Sequence, residues 1–192
     1  PPPNTVIHNG LSRQELLHVA PCTYIRTKSR KKILINVARL EAGKGQDDLI
    51  RMLQILDDRN IHLWLLGIGP EQVALEQLAE AFGVANQVHF KGFQEDVGSF
   101  FANSHLFVTA SQLDSLPNSL IEAHAAGLPI VAYDSMGIPE IVSDSQTGFL
   151  SPTHTPEALS KLCNKLLVNE TLNTQFAIAA RKRVRKMFDR EQ

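Results

Sequence analysis

From Ile33 onward, short apolar runs alternate with amphipathic segments, and this alternation restricts the fold more than any other feature of the sequence. The apolar runs are typical of buried parallel strands and lie at 33–38, 61–66, 87–90, 105–109, 129–133 and 148–150. The segments between them predict helices over 46–58, 73–82, 95–102, 117–126, 137–142, 156–167 and 170–187. Strands that alternate with helices form βαβ units. We therefore predict an α/β fold with a Rossmann-like, doubly wound parallel sheet of about six strands and flanking helices.

Composition and charge narrow the class of protein. A chain of 192 residues with 43% hydrophobic residues can bury a sizeable core, and a formal net charge of -1 disfavours nucleic-acid binding. The two cysteines, Cys22 and Cys163, are far apart and lack metal-ligand spacing, so we expect neither a disulfide framework nor a zinc site. No apolar run has the length of a membrane span and the first residues lack a signal-peptide pattern, so we expect a soluble, cytoplasmic protein.

Residues 1–32 differ from the rest of the chain, because they begin with prolines and end in a basic run from Arg26 to Lys32. We interpret them as an interdomain linker that enters one domain over 33–188, and we expect a further domain to precede it. The basic run is typical of a solvated tether. Alternatively, this run and a second one over 181–186 indicate peripheral contact with an anionic membrane, at its inner face.

Ligands of doubly wound sheets bind at the carboxyl ends of the strands, so the residues after each strand are the candidates for function. Arg39 and Lys44 follow the first strand in a loop with two glycines. A planar guanidinium and a compact ammonium suit a pair of phosphates, although exposed cations are also commonly only solvated. The loop lacks the spacing of a P-loop.

The loops after the second and third strands contain glycines. Gly67 and Gly69 imitate the start of a dinucleotide-binding fingerprint, but the third glycine is missing and no acid ends the third strand. NAD binding is therefore disfavoured, and a tight turn with close backbone approach is the better interpretation. After the third strand, Gly92 and Phe93 form a place where a flat base can lie against the chain.

The stretch from Ala110 to Glu140 contains a pair of acids around a helix start. Asp114 and Glu122 have seven residues between them, and we expect the helix to begin at Pro117. The unpaired N–H groups of such a start form an anion site. The acids would lie roughly 10 to 12 Å apart if the segment is mostly helical, which is the span of a sugar, a diphosphate and a ribose. Either acid alone is also compatible with a helix-terminal or surface position.

Five segments together resemble a known family: V-A-R-L-E-A-G-K-G, L-L-G-I-G-P, F-K-G-F, D-S-L-P-N-S-L-I-E-A-H-A-A-G-L-P-I-V-A and G-I-P-E-I-V-S-D-S-Q-T-G-F-L. In this order they are similar to the C-terminal, donor-binding domain of GT-B retaining glycosyltransferases of family 4, over about residues 33 to 168. The resemblance implies a UDP-, GDP- or ADP-sugar as donor, transfer with retention to give an α-linkage, and neither metal nor cofactor. It also implies polysaccharide biosynthesis with a glycan or lipid-linked acceptor, which an N-terminal domain that we expect to be absent from this chain would bind.

The resemblance also implies roles for single residues. Arg39 and Lys44 would hold the diphosphate and stabilise its leaving charge. The family's pair of glutamates maps onto Asp114 and Glu122, and Asp114 departs from it because aspartate is one methylene shorter. His124 stands where the family tends to carry methionine, and we interpret it as a packing residue rather than a base. Further donor-binding residues are Gly67, Gly69, Gly92, Phe93, Leu116, Asn118, Ser119 and Gly137.

Two other classes of function stay open at this point. A non-catalytic regulatory module that binds nucleotide sugars would use the same fold and the same anion site. A glycan phosphorylase or a sugar-nucleotide epimerase would use a related fold. For the chain by itself, we expect binding of a nucleoside diphosphate without transfer of a sugar.

Overall fold

The chain forms one six-stranded parallel sheet in the part that the structure describes. The computed structural model of the protein describes residues 31–113 and 117–187. The strands are β1 (Lys32–Val37), β2 (Ile61–Leu66), β3 (Val88–Gly92), β4 (Leu106–Thr109), β5 (Ile130–Tyr133) and β6 (Gly148–Ser151). Their order is β3-β2-β1-β4-β5-β6, with every neighbouring pair parallel. This confirms the predicted fold class and places the switch point of the sheet between β1 and β4.

Helices cover both faces of the sheet. They are α1 (Gln46–Leu56), α2 (Gln72–Ala81), α3 (Gly98–Ala102), α4 (Asn118–Ala126), α5 (Ile138–Ile141), α6 (Pro156–Val168) and α7 (Glu170–Met187). One buried cluster joins the sheet to α1, α2 and α6 and includes Leu34 and Val108. A second cluster joins the opposite face to α3, α4 and α5 and includes Ile35 and Phe107. Neighbours such as Leu34 and Ile35 enter different clusters because successive strand residues point to opposite faces.

The start of α6 is as predicted, whereas the start of α4 is not. The Thr155 hydroxyl accepts a hydrogen bond from the N–H of Ala158, and Pro156 occupies the first helical position. Pro117 was expected at the same position of α4, but its ψ of 121° is extended. The helix therefore begins one residue later, at Asn118, and Pro117 precedes it.

Three other helices are shorter than predicted, and two of them end or begin early for local reasons. The helix expected from residue 95 begins at Gly98, because the carboxylate of Asp96 accepts the Gly98 N–H at 2.8 Å and forms a turn there. The helix expected over 46–58 ends at Leu56, because Asp57 adopts a left-handed conformation with φ 46°.

The basic run at the end of α7 holds the ends of two other helices. The guanidinium of Arg181 donates to the carbonyl oxygen of Ala126 at 2.9 Å, at the end of α4. Arg183 donates to the carbonyl oxygens of Ile141 and Glu140, both at 2.7 Å, at the end of α5. Two of these cations therefore have a structural use, and membrane contact by this run stays a prediction.

Several predictions lie outside the described residues. These are the linker up to residue 30, most of the basic run that starts at Arg26, and the site residues Asp114 and Leu116. None of the described helices is both long and apolar enough to cross a membrane.

Candidate functional site

An apolar cavity opens at the carboxyl ends of β1, β2 and β3. Its volume is about 440 Å3, and it is lined by Val37, Ala38, Arg39, Leu66, Gly67, Ile68, Phe93, Gln94 and Val97. Arg39 is the one charged side chain among the described residues of this lining. Ile68 and Phe93 are 60% and 68% exposed, so two large apolar side chains face solvent beside it. Such a cavity suits a flat ligand group that carries an anion at one end.

The loop after β1 carries the two predicted phosphate-binding cations. Gln46, in the first turn of α1, holds this loop by donating its side-chain amide to the carbonyl oxygen of Arg39 at 2.8 Å. The Arg39 side chain is 74% exposed, and its guanidinium lies 3.1 Å from the carboxylate of Glu41. Because solvent screens the exposed guanidinium of this ion pair, the pair contributes little stability, and a phosphate can replace the half-buried Glu41 at little cost. Lys44 lies in the same loop and is half-buried.

The glycines of the neighbouring loops allow close packing of backbone on backbone. A Cβ atom on Gly67 would lie 2.0 Å from the carbonyl oxygen of Ala38, and one on Gly69 would lie 2.1 Å from that of Leu40. The Gly67 N–H donates to the carbonyl oxygen of Gly92 at 2.7 Å. The close backbone approach predicted for Gly67 and Gly69 is therefore confirmed, and the partner is the loop after β1.

Helices α1 and α4 follow β1 and β4, the two strands on either side of the switch point. Gly45, which precedes α1, has φ 72°, and a Cβ atom there would lie 2.3 Å from the carbonyl oxygen of Ala110, just after β4. Pro117 precedes α4, whose first turn contains the exposed Asn118 and the half-buried Ser119. Neither Gly45 nor Pro117 caps its helix with a side chain, and the Leu120 N–H in the first turn of α4 donates to the carbonyl oxygen of Pro117 at 3.1 Å. A helix start without a side-chain cap is a common place for an anion.

The far side of the site consists of α4 and the turn after β5. Glu122 lies in the second turn of α4 and is half-buried. Gly137 precedes α5, and the neighbouring Ser135 hydroxyl donates to the carbonyl oxygen of Gln112 at 3.1 Å. This contact ties the β5 turn to the chain just before Asp114.

The structure thus places the described site residues on segments at or after the carboxyl ends of β1 to β5. Arg39, Gly67 and Phe93 line the cavity itself. The other described residues lie outside its lining, on the loops after β1 and β2, at the end of β3, on α4 or on the turn after β5: Lys44, Gly69, Gly92, Asn118, Ser119, Glu122 and Gly137. Their role in binding a donor stays a prediction.

Comparison with known sequences decides the family. The sequence matches the family of glycosyl transferases group 1 over residues 25–183. The chain belongs to this family. It is 32% identical over 157 residues to an uncharacterized glycosyltransferase of Haemophilus influenzae, covering 80% of this chain and 44% of the relative. It is 29% identical over 162 residues to N-acetyl-alpha-D-glucosaminyl L-malate synthase of Bacillus anthracis, covering 84% of this chain and 42% of the relative.

A third relative agrees with this assignment, and solved structures show the fold. The chain is 28% identical over 165 residues to the lipopolysaccharide core biosynthesis glycosyltransferase LpsE of Rhizobium meliloti, covering 86% and 48%. It spans less than half the length of these three relatives. Anabaena HepE in complex with UDP aligns with a TM-score of 0.85 at 24% identity, over 96% of this chain and 53% of HepE. WaaG, a glycosyltransferase involved in lipopolysaccharide biosynthesis, aligns with a TM-score of 0.81 at 23% identity, over 95% of this chain and 52% of WaaG. The fold is that of the C-terminal domain of a GT-B glycosyltransferase.

His124 is a core residue of this glycosyltransferase domain, as expected. Its ring is fully buried on α4, with Nδ1 3.1 Å from the carbonyl oxygen of Leu128 and Nε2 3.1 Å from the hydroxyl of Thr147. Burial lowers the pKa of His124 to about 4, while the bond to Leu128 raises it and the positive charge of Arg183 lowers it further. The imidazole is therefore neutral at physiological pH, and both nitrogens are engaged within the fold.

Sequence reasoning missed three residues at this edge of the domain. Ile68 and Val97 line the cavity, but an apolar residue in a loop after a strand has no pattern that separates it from core residues. Met136 in the β5 turn is 64% exposed and has φ 47°. The sequence offered one signal for Met136: a large apolar residue between Ser135 and Gly137, in a segment whose other residues are typical of a turn.

Proposed function

We propose that the chain binds a nucleotide-diphosphate sugar along the carboxyl edge of its sheet and supplies the donor half of a retaining, metal-independent glycosyl transfer. The observation that carries this proposal is the apolar cavity of about 440 Å3 with Arg39 in its lining, beside the switch point where two helices begin. An apolar cleft next to exposed cations and helix N-termini matches a molecule with a flat base at one end and a diphosphate in its middle.

The base occupies the cavity in this proposal. Phe93 provides an aromatic face, and its 68% exposure leaves that face accessible to a ligand. Gln94 lines the same cavity and offers an amide that can hydrogen-bond to the edge of a base. Ile68 completes the apolar walls. Stacking of a base on an aromatic side chain is worth roughly 1–3 kcal/mol.

The diphosphate lies between the loop after β1 and the start of α4. Arg39 and Lys44 approach it from one side, and the first-turn N–H groups of α4 approach it from the other. These groups stabilise the charge that develops on the departing diphosphate, which is the work a bound metal would otherwise do. Glu122 then accepts hydrogen bonds from the ribose hydroxyls, and Asp114 from those of the transferred sugar.

The reaction needs no side-chain base from this domain. The acceptor oxygen bonds to C1 of the sugar on the face from which the diphosphate leaves, and a diphosphate oxygen takes the acceptor's proton. This retains the α-configuration of the donor. A glycan or lipid-linked acceptor is supported by relatives such as LpsE, which is named for lipopolysaccharide core biosynthesis, and a UDP donor by HepE, a protein of the same fold in complex with UDP and glucose.

Thermal unfolding of the chain with UDP, GDP and ADP tests the proposal. One diphosphate at about 100 times its dissociation constant should stabilise the fold by roughly 2.7 kcal/mol, which raises the midpoint by about 5 °C or more. The corresponding nucleoside should give a much smaller shift, because it lacks the diphosphate. The proposal would be contradicted if the midpoint stayed at the ligand-free value with each of the three diphosphates at millimolar concentration.

A further inference from the structure

Met136 has a strained backbone at the carboxyl edge of the sheet. Among the described residues, three that are not glycine have positive φ: Asp57, Met136 and Ser145. Asp57 precedes β2 and Ser145 precedes β6, so both lie at the opposite, amino edge. The left-handed conformation is unfavourable for a side chain with a Cβ atom, and glycine would adopt it more readily.

The strain at Met136 is held by a well-fixed turn. The Asp134 N–H donates to the carbonyl oxygen of Ser151 at 2.8 Å, and the Ile138 N–H donates to that of Ser135 at 3.0 Å. The Ser135 hydroxyl bonds to the chain just before Asp114, as described above. The Met136 side chain is nevertheless 64% exposed, so it contributes little to the core. A strained residue whose side chain does not stabilise the fold points to a use outside the fold.

The position of the turn along the sheet indicates what Met136 meets. This step rests on the proposed function. If the base lies in the cavity at β1 to β3 and the diphosphate at the switch point between β1 and β4, the next strand along is β5. Neighbouring strands are about 4.8 Å apart, so the turn after β5 lies about one sugar ring beyond the diphosphate. The transferred sugar therefore reaches Met136.

The side chains around this turn favour an uncharged sugar. Leu113 is 68% exposed on the adjoining loop, and Asp134 and Glu140 are exposed acids on either side of the turn. We propose that Met136 is a specificity-determining residue that packs its thioether against the C–H face of a neutral hexose. A uronic acid would place its carboxylate beside an apolar side chain and near acids, where it loses hydration and is repelled.

Two variants of Met136 and one control separate this role from a structural one. Met136→Gly removes both the strain and the side chain, whereas Met136→Ala removes the side chain and keeps the strain. Asp57→Gly relieves the same kind of strain at the far edge. We expect Met136→Gly and Asp57→Gly to raise the thermal midpoint by about 2 °C. Met136→Ala should either leave the thermal midpoint unchanged or lower it.

Calorimetric binding to the same proteins then tests the sugar contact. The probes are UDP, UDP-glucose, UDP-N-acetylglucosamine and UDP-glucuronic acid, or the corresponding GDP and ADP compounds if one of those bases is preferred. We expect wild type to bind the neutral sugar nucleotides more tightly than the glucuronate. Both Met136 variants should bind the free diphosphate normally but the neutral sugar nucleotides about fivefold more weakly, with Asp57→Gly like wild type.

Unchanged ratios of sugar-nucleotide to diphosphate affinity in both Met136 variants, or a wild-type preference for the glucuronate, would overturn this assignment alone. Failure of the wild type to bind any diphosphate would instead overturn the proposed function, and this inference with it.

Discussion

Acidification should destabilise the domain through His124, by an amount that follows from its burial. The folded-state pKa of about 4 is below the ordinary value of 6.5, so the unfolded chain takes up this proton first as the pH falls. Stability due to neutral His124 is fully present above pH 6.5 and is lost between about pH 6.5 and 4. Each pKa unit corresponds to about 1.4 kcal/mol, which gives a loss of roughly 2 kcal/mol at pH 5 and roughly 3 kcal/mol at pH 4.

His124→Met isolates this effect from other titrating groups. Methionine has a similar size and does not titrate, and Thr147 keeps its bond from the Ser143 N–H at 2.9 Å. The variant is expected to lose some stability at pH 7, because the hydrogen bonds of the imidazole disappear. Its stability should then fall less than that of wild type as the pH is lowered.

Urea denaturation followed by the fluorescence of Trp64, at pH 7 and pH 5, measures both effects. The fall in unfolding free energy between the two pH values should be about 2 kcal/mol larger for wild type than for His124→Met. Equal falls in the two proteins would refute the reasoning, since they would show that the buried imidazole is not kept neutral by the fold.

Two further predictions concern the site. Gly45→Ala should destabilise the domain by about 2 kcal/mol or more and weaken diphosphate binding, because the added Cβ would lie 2.3 Å from the carbonyl oxygen of Ala110. Gly83→Ala is the control, since Gly83 has a similar φ of 69° and an added Cβ would have nothing within 4 Å. Urea denaturation should show a loss of only about 1 kcal/mol for this control. Phe93→Ala should weaken nucleoside diphosphate binding about tenfold without changing the binding of inorganic pyrophosphate. Ile178→Ala, at a similarly exposed apolar position on α7, should change neither affinity. Calorimetric titration measures both affinities, and an equal loss for both ligands in Phe93→Ala would contradict a base contact.

The sheet could be predicted because several of its strands are buried on both faces. Short apolar runs such as that of β2, where five of six residues are buried, are typical of buried parallel strands, and their alternation with helices limits the topology. The errors lie at helix ends, where single side chains decide. The Asp96 carboxylate moves the start of α3 to Gly98, and an extended ψ keeps Pro117 outside α4.

The candidate site was predictable only where residue type limits the chemistry. Arg39 lies in a loop after a strand, where a cation suits a phosphate, and Gly67 packs where a Cβ atom does not fit. The apolar wall formed by Ile68 depends on three loops meeting in space, which no local pattern contains. The left-handed conformation of Met136 occurs in a turn that hydrogen bonds from Asp134 and Ser135 connect to distant segments, and its residue type argues against it.

Titration of the preferred nucleoside diphosphate into the double variant Arg39→Gln, Lys44→Gln tests the central claim most directly. The control is Lys182→Gln, Lys186→Gln, which removes the same charge on α7. If the two loop cations hold the diphosphate, each should contribute at least about tenfold in affinity. The double variant should therefore bind the diphosphate much more weakly than wild type, with little change in the affinity for the nucleoside. The control should bind like wild type. Equal diphosphate affinity in wild type and the Arg39, Lys44 variant would contradict the account.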